Sequence, residues 1–482
     1  MGRRLPLGGR ARPQRVVGPG AHRARLEGAA GGPAAGGAGP VGRDHVRGLE
    51  GAVGSLTGRP GLLFLCQTLP YPPDGGVWIR TYHILRLLAR AFEVTALCFE
   101  RAGTAGTDQT VAASLEALSR YAHVEVFAIP QRHSRLRYAW DHFRSAARGR
   151  VYTAYLYESH AFRRRLGELL AAKDFRLVHV DSLDLARYLP ACAGLPTVCV
   201  HHDVESALLA RRASLERRRW RRAYLRYQAR LMDRVERQWC ERLTLNVAVS
   251  ERDAARLKEK APQARMTVVP NGVDLEEFRP DGTNEAGVAF VGGTSPFPNF
   301  DALQFFCDQI LPHLRRARPD VPARWIGRAS SREQEDYRAR HGVELTGYTD
   351  DVRPWMRAAA CHIVPLRTGG GTRLKILNSW AMGKAVVSTS IGCEGLAASD
   401  GANILIRDDP KHFADAVLAV LGDAGLRRRL GDGGRATAQR LYAWEAVGQQ
   451  MIDTYLTVAR AASGDPSPDR LVIRAEPRHS PA

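Results

Sequence analysis

From residue 61 onward, short apolar runs closed by turn-forming residues alternate with longer stretches of helical period. LLFLCQ, beginning at Leu62, reads as a buried strand. The turn-rich PYPPDGG follows, then a helix with Trp78, Tyr82, Leu85 and Ala89 on one face, then the strand EVTALCF. VEVFAI (124–129), RLVHVD (176–181), PTVCVHHD (196–203) and TLNVAVS (244–250) continue the series, with helical patterns between several of them. A second series opens at MTVVPNGVD (266–274) and runs through VAFVGG (288–293), ARWIG (323–327) and VELTG (343–347). Strands separated by helices imply a parallel sheet covered on both faces. The expectation is therefore an α/β chain of two doubly wound, Rossmann-like domains facing a central cleft, spanning 59–255 and 262–440, with a terminal helix over 441–462. Ligands of such sheets bind beyond the carboxyl ends of the strands, which selects the loops after LLFLCQ, PTVCV, VAFV and HIVPL.

Composition changes this picture at the ends. Residues 1–58 hold sixteen glycines and almost no large apolar side chains, so they are expected to stay disordered, as is the Ser/Pro-rich end, 463–482. The net charge of +20 suggests nucleic acid until it is located. Nine arginines against three acids in 1–58 and twelve against four in 211–242 supply 6 + 8 = 14 of those charges, and no nucleic-acid recognition motif accompanies them. Nucleic acid is not an expected partner. The eight cysteines form no CxxC pair and sit mostly in apolar runs, which reads as buried, reduced thiols in a cytosol, with no metal site. Apolar runs are far shorter than the ~20 residues that span a bilayer. A cytoplasmic protein is expected, peripheral at the inner face of a membrane if 211–242 touches lipid.

The densest chemistry lies in HIVPLRTGGGTRLKILNSWAMGKAVVSTSIGCEGL, residues 362–396. A strand leads into Gly369, Gly370 and Gly371, then into a helix carrying Leu374, Leu377 and Ala381, which stops at Gly383 before the strand Ala385 to Val387. Glycines let backbone N–H groups approach a ligand closely. Arg373 and Lys375 fall in the first helical turn, where the macrodipole disfavours each cation by ~0.3–1 kcal/mol unless an anion is present. A diphosphate would compensate both, and Asn378 shares the face of Lys375. The plainer reading is a glycine loop that only connects strand to helix.

With these segments in place, the chain resembles a retaining glycosyltransferase of the GT-B fold, the large GT4-like, group 1 class, over most of residues 60–460. PYPPDGG, HHDVES, VAVSERD, VVPNGVDLEEF, VAFVGG with PNFDAL, LTGYTDDVRPWM and the block above carry the resemblance by their order. It implies a nucleotide-sugar donor on the second domain, a glycan or lipid-linked acceptor on the first, a terminal helix crossing back to the first, and no cofactor or metal. It assigns Arg373, Lys375 and the amides of Gly370, Gly371 and Thr372 to the diphosphate, and Gly292, Gly293, Gly347, Val352, Leu374 and Asn378 to the rest of the donor. His202 would face the sugar, with His201, Gly75 and Gly76 on the acceptor side. For the histidines, a strand-capping hydrogen bond is the alternative, and for the glycines a simple turn. The family tends to carry two glutamates eight positions apart where this chain has Gly370 and Asn378. An asparagine still exchanges hydrogen bonds with a ribose but without the strengthening charge.

Two further readings stay open. A GT-B-shaped protein that binds nucleotides or glycans without catalysis would account for Gly370 and Asn378. The stretch 211–242 places Trp220, Tyr224, Tyr227, Leu231, Val235 and Trp239 at helical spacing opposite an arginine-dense face, which suits either a packed surface helix or one lying on an anionic membrane.

Overall fold

Gly61–Cys66, the first strand, is buried along all but its first residue, because it is an interior strand of a parallel sheet covered on both faces. The computed structural model describes residues 58–73, 75–100, 111–281, 286–295, 297–369 and 373–462. The expected tails therefore lie outside the described residues apart from Gly58, as do Gly370, Gly371 and Thr372.

Seven parallel strands form the first sheet: β1 (Gly61–Cys66), β2 (Glu93–Phe99), β3 (Ala122–Phe127), β4 (Phe175–Val180), β5 (Thr197–His201), β6 (Leu245–Ala248) and β7 (Met266–Val268). Their order is β3-β2-β1-β4-β5-β6-β7. The second sheet holds β8 (Val288–Val291), β9 (Ala323–Ile326), β10 (Glu344–Leu345), β11 (Cys361–Val364), β12 (Val386–Ser388) and β13 (Leu405–Ile406), ordered β10-β9-β8-β11-β12-β13. Two doubly wound sheets are thus present, as the alternation of runs implies. Each has one switch point, between β1 and β4 and between β8 and β11, where the crossovers diverge and a crevice opens.

One strand changes sides. Met266–Val268 was expected to open the second domain, yet Asn246, Val247 and Ala248 pair with Met266, Thr267 and Val268. A run this short satisfies its backbone only by extending the nearest sheet edge, and β6 supplies that edge. A second correction concerns the helix Gly76–Leu88. Trp78, Tyr82 and Ala89 are only half-buried, while Arg80 and Thr81 are fully enclosed. Partners that a hydrophobic pattern cannot show explain the rotation: the Arg80 guanidinium donates to Asn271 Oδ1 (2.5 Å) and the Val269 carbonyl (2.8 Å), and Thr81 Oγ1 donates to Asp181 (3.0 Å).

The terminal helix Trp444–Ala462 returns to the first domain. Trp444, Val447, Met451, Tyr455 and Val458 complete the apolar cluster that contains Leu62, Phe64, Leu85 and Leu88. Each such side chain contributes about 1.5–3 kcal/mol on burial, so the return is firmly held. Among the described residues all eight cysteines are buried and unpaired, and no helix is long and apolar enough to cross a membrane.

Candidate functional site

The helix Leu374–Ala381 starts just past the end of β11, at the switch point of the second sheet, with Arg373 as its N-cap residue. Gly369, at φ +123°, turns the chain there, and a Cβ on it would come 3.1 Å from the Arg373 guanidinium. Arg373 is only 8% exposed. Burial lowers its affinity for a proton, opposed by the nearby carboxylates of Asp203 and Glu394. Because Asp203 belongs to the first domain, the guanidinium faces the gap between the halves and not bulk water.

Lys375 turns the other way, against the second domain. Its Nζ donates to Asn299 Oδ1 (3.0 Å) and lies 3.8 Å from the centroid of the Phe290 ring. Burial pushes the ammonium well below the ordinary lysine range, and the Arg373 charge pushes the same way. Two cations held at one helix N-terminus with little water destabilise each other until an anion joins them. Asn378 is half-buried one turn further on.

The neighbouring loops stack on one another. Gly292 N–H donates to the Ile326 carbonyl (2.7 Å) and Thr294 N–H to the Arg328 carbonyl (2.8 Å). A Cβ on Gly293 would stand 2.5 Å from the Arg328 carbonyl oxygen, so this glycine is required by loop-on-loop packing whether or not a donor approaches it. Gly347 bridges to Gly327, and the Arg328 guanidinium lies 4.7 Å over the half-exposed Tyr348 ring. Val352 is half-buried against a small apolar cluster with Ala289, Ile326 and Met356. Leu374 is half-buried against the main core of the second domain.

Across the gap, His202 follows β5 and its Nε2 lies 3.1 Å from Asp181 Oδ1, at the end of β4. A carboxylate only accepts, so Nε2 carries a proton towards it, and in the neutral ring Nδ1 then keeps its lone pair. That Nδ1 is buried and has no hydrogen-bond partner among the described residues. Asp181 also receives Thr81 Oγ1 and Cys66 Sγ (3.6 Å), with His179 Nε2 3.7 Å away. Burial alone would raise the Asp181 carboxyl; His202 and His179, both set against its oxygens, hold it below the ordinary carboxylate range. His201 points to the opposite face of the strand, where Nε2 meets Asn246 Oδ1 (2.9 Å) inside the sheet. Strand alternation thus sends one histidine to the gap and the other into the core, and His201 is not brought to the site. Gly75 is the N-cap of the helix Gly76–Leu88, where a Cβ would strike the Trp78 ring at 2.6 Å; at Gly76 a Cβ would meet open space.

Several participants lay outside the residues singled out from sequence. Arg211, on the helix Glu205–Leu215, donates to Glu394 Oε2 (2.7 Å) and to the Gly369 carbonyl. Arg252 (2.7 Å) and Arg256 (3.3 Å) reach the same carboxylate. Glu394 therefore gathers three first-domain arginines onto the second domain, beside Arg373. Asp181 ends a buried strand, a signal the sequence offered. Asn299, Phe290 and the partners of Glu394 are far apart in the chain and gave none. A cavity of about 530 Å³ lined by Gly287, Arg318, Pro322 and Ala360 lies at the amino-terminal edge of the second sheet, away from the switch point and these cations.

Residues 285–423 match the family model for glycosyl transferases group 1, and residues 74–277 match glycosyltransferase family 4. The phosphatidyl-myo-inositol mannosyltransferase of Mycobacterium leprae is 27% identical over 243 residues, covering 48% of this chain and 63% of that protein. The D-inositol 3-phosphate glycosyltransferase of Frankia alni is 30% identical over 219 residues, 40% of this chain and 53% of the relative. The chain thus spans between 53% and 63% of the length of these two relatives. Sucrose-phosphate synthase from Thermosynechococcus elongatus superposes with a TM-score of 0.61 at 16% identity, covering 83% of this chain and 100% of that one. HepE of Anabaena, in complex with UDP-glucose, superposes at 0.58 and 16% identity, covering 82% and 99%. At such identity these likenesses speak for the fold. Two doubly wound sheets with facing switch points, each half matched by its own model, place the chain in the group 1 and family 4 glycosyltransferases of the GT-B fold.

Proposed function

We propose that this chain transfers a sugar from a nucleoside diphosphate to a hydroxyl of a glycan or lipid-linked acceptor, with retention at the anomeric carbon. The observation that carries the reading is the pair of cations, the buried Arg373 and the half-buried Lys375, at a helix N-terminus on the switch point of the second sheet. The bond from the anomeric carbon to the diphosphate oxygen breaks, and both electrons stay on that oxygen. Arg373, Lys375 and the helix N-terminus meet the developing charge, which lowers the barrier without help from a divalent ion. The acceptor oxygen forms the new bond and its proton leaves to the diphosphate. His202, with Nε2–H fixed on Asp181, offers Nδ1 as an acceptor for a sugar hydroxyl. The UDP-glucose in HepE and the sugar-transferring names of the curated relatives support a donor of this class.

The test is donor hydrolysis and transfer with a panel of UDP-, GDP- and ADP-sugars, with and without chelator. Lys375→Ala is expected to abolish turnover, and a chelator to leave it unchanged; full activity of the lysine variant would sink the assignment. A second reading, a protein that binds nucleotides or glycans without catalysis, rests on Gly370 and Asn378. Asn378→Glu decides it: a large gain in donor affinity supports a degenerate site, and a loss supports a working one.

A further inference from the structure

The helix Arg135–Arg148 is built inside out. Leu136, Trp140 and Phe143, spaced as one helical stripe, are 85%, 54% and 60% exposed, and the Trp140 and Phe143 rings stack 5.4 Å apart. The opposite stripe is polar and buried. Asp141 and Ser145 are fully enclosed, Arg137 and Arg144 bind Asp141 and Glu158, and Gln228 Nε2 donates to Ser145 Oγ (2.8 Å). Both ends are properly finished: Ser134 Oγ accepts from Arg137 N–H, and Gly149 closes the helix at φ +60°. The polar stripe therefore sets the orientation, and the apolar one is covered by none of the described residues.

What covers it is indicated by charge. The arginine-rich helix Arg219–Cys240 runs beside this one in the same direction, since His142 meets Tyr224, Gln228 meets Ser145 and Tyr227 reaches the Ala146 carbonyl. Its first turn thus lies alongside the first turns of Arg135–Arg148. There Trp220 stands 66% exposed with the Arg221 guanidinium 5.1 Å over its ring, and Arg217, Arg218 and Arg219 are exposed next to it. An apolar ridge flanked by arginine and tryptophan demands a partner that is greasy beneath and anionic above. A second copy of this chain would set arginines against arginines.

We propose that Leu136, Trp140 and Phe143 insert into the head-group region of an anionic bilayer, with the arginines opening the helix Arg219–Cys240 bound to lipid phosphates. The contact needs no membrane-crossing helix. It moves the expected lipid contact from the arginine-rich helix alone to the exposed ridge beside it. Helix Glu205–Leu215, which starts three residues after His202, leads directly to these arginines. Where the acceptor is lipid-linked, which rests on the proposed function, the bilayer would lie on the His202 side.

The experiment is flotation of the full chain, without donor, on phosphatidylcholine vesicles and on phosphatidylcholine mixed with phosphatidylglycerol. Binding to the mixed vesicles alone, weakened by salt, is expected. The double variant Trp140→Glu with Phe143→Glu should bind on the order of tenfold more weakly at an unchanged melting temperature, since both side chains are exposed. Arg218→Ser and Arg219→Ser should each cost roughly fivefold. Equal binding by the Trp140/Phe143 variant overturns the proposal, as does failure to bind mixed vesicles. So does a solution dimer that this variant dissolves, or retention on polyglutamate with none on vesicles, which would point to a second copy or an acidic protein.

Discussion

Asp181 shows how one side chain can set the chemistry of another. It is fully buried, and its neighbours hold it ionised, so His202 presents Nε2–H to it, which in the neutral ring makes Nδ1 the acceptor. Asp181→Asn keeps the shape but lets a carboxamide N–H face His202, which reverses the tautomer. We expect transfer kcat to fall about tenfold, the worth of one hydrogen bond, with donor KM little changed; steady-state kinetics check this. Lys375 is the converse case, a cation whose nearest partners are a neutral amide and an aromatic face. The glycine run and the cations after it were legible as an anion site from sequence. The amide and the ring were not, because Asn299 and Phe290 approach Lys375 only after β8 and β11 pair.

At the scale of elements, the returning helix Trp444–Ala462 is the one whose docking responds to acid. His83 stacks flat against Trp444, ring centroids 4.4 Å apart. Burial pushes its imidazole down to about 3, with Arg86 acting the same way against a weaker opposing pull from Asp274. Between the ordinary histidine value of 6.5 and about 3, the unfolded chain binds a proton that the folded chain does not. Stability therefore rises with pH across that window and is lost as the solution is acidified through it. His179, His201 and His362 are depressed in the same direction by burial. A melting-temperature series should fall from about pH 6.5 downward, and His83→Phe should flatten part of that fall. Hydrophobic period located this helix, but its destination depends on the cleft left by Leu62, Phe64 and Leu88, which exists only once the first sheet is formed. The strand Met266–Val268 teaches the same lesson, since its pattern announces a strand and only the free edge of β6 says to which sheet it belongs.

The two halves are held together around the site by charge. Glu394, with its side chain 9% exposed, receives Arg211, Arg252 and Arg256 from the first domain. Arg252 is more than half exposed, so its share is screened by solvent. Glu394→Ala leaves three arginines facing one another near Arg373. We expect a larger radius of gyration by small-angle scattering in the absence of ligand, and a higher donor KM. An unchanged radius would show that the returning helix alone fixes the spacing of the halves.

The sequence by itself determined the class of fold and the place of the cations, because both rest on local order: apolar runs of strand length, helical period between them, and a glycine loop opening a helix. Tertiary structure alone decided which face of each element is buried, which histidine reaches the gap, and that an apolar ridge would be turned outward at Trp140 and Phe143. Those outcomes depend on partners far apart in the chain, such as Thr81 with Asp181, Lys375 with Asn299 and Gln228 with Ser145, whose meeting is a property of the assembled sheets and of no single segment.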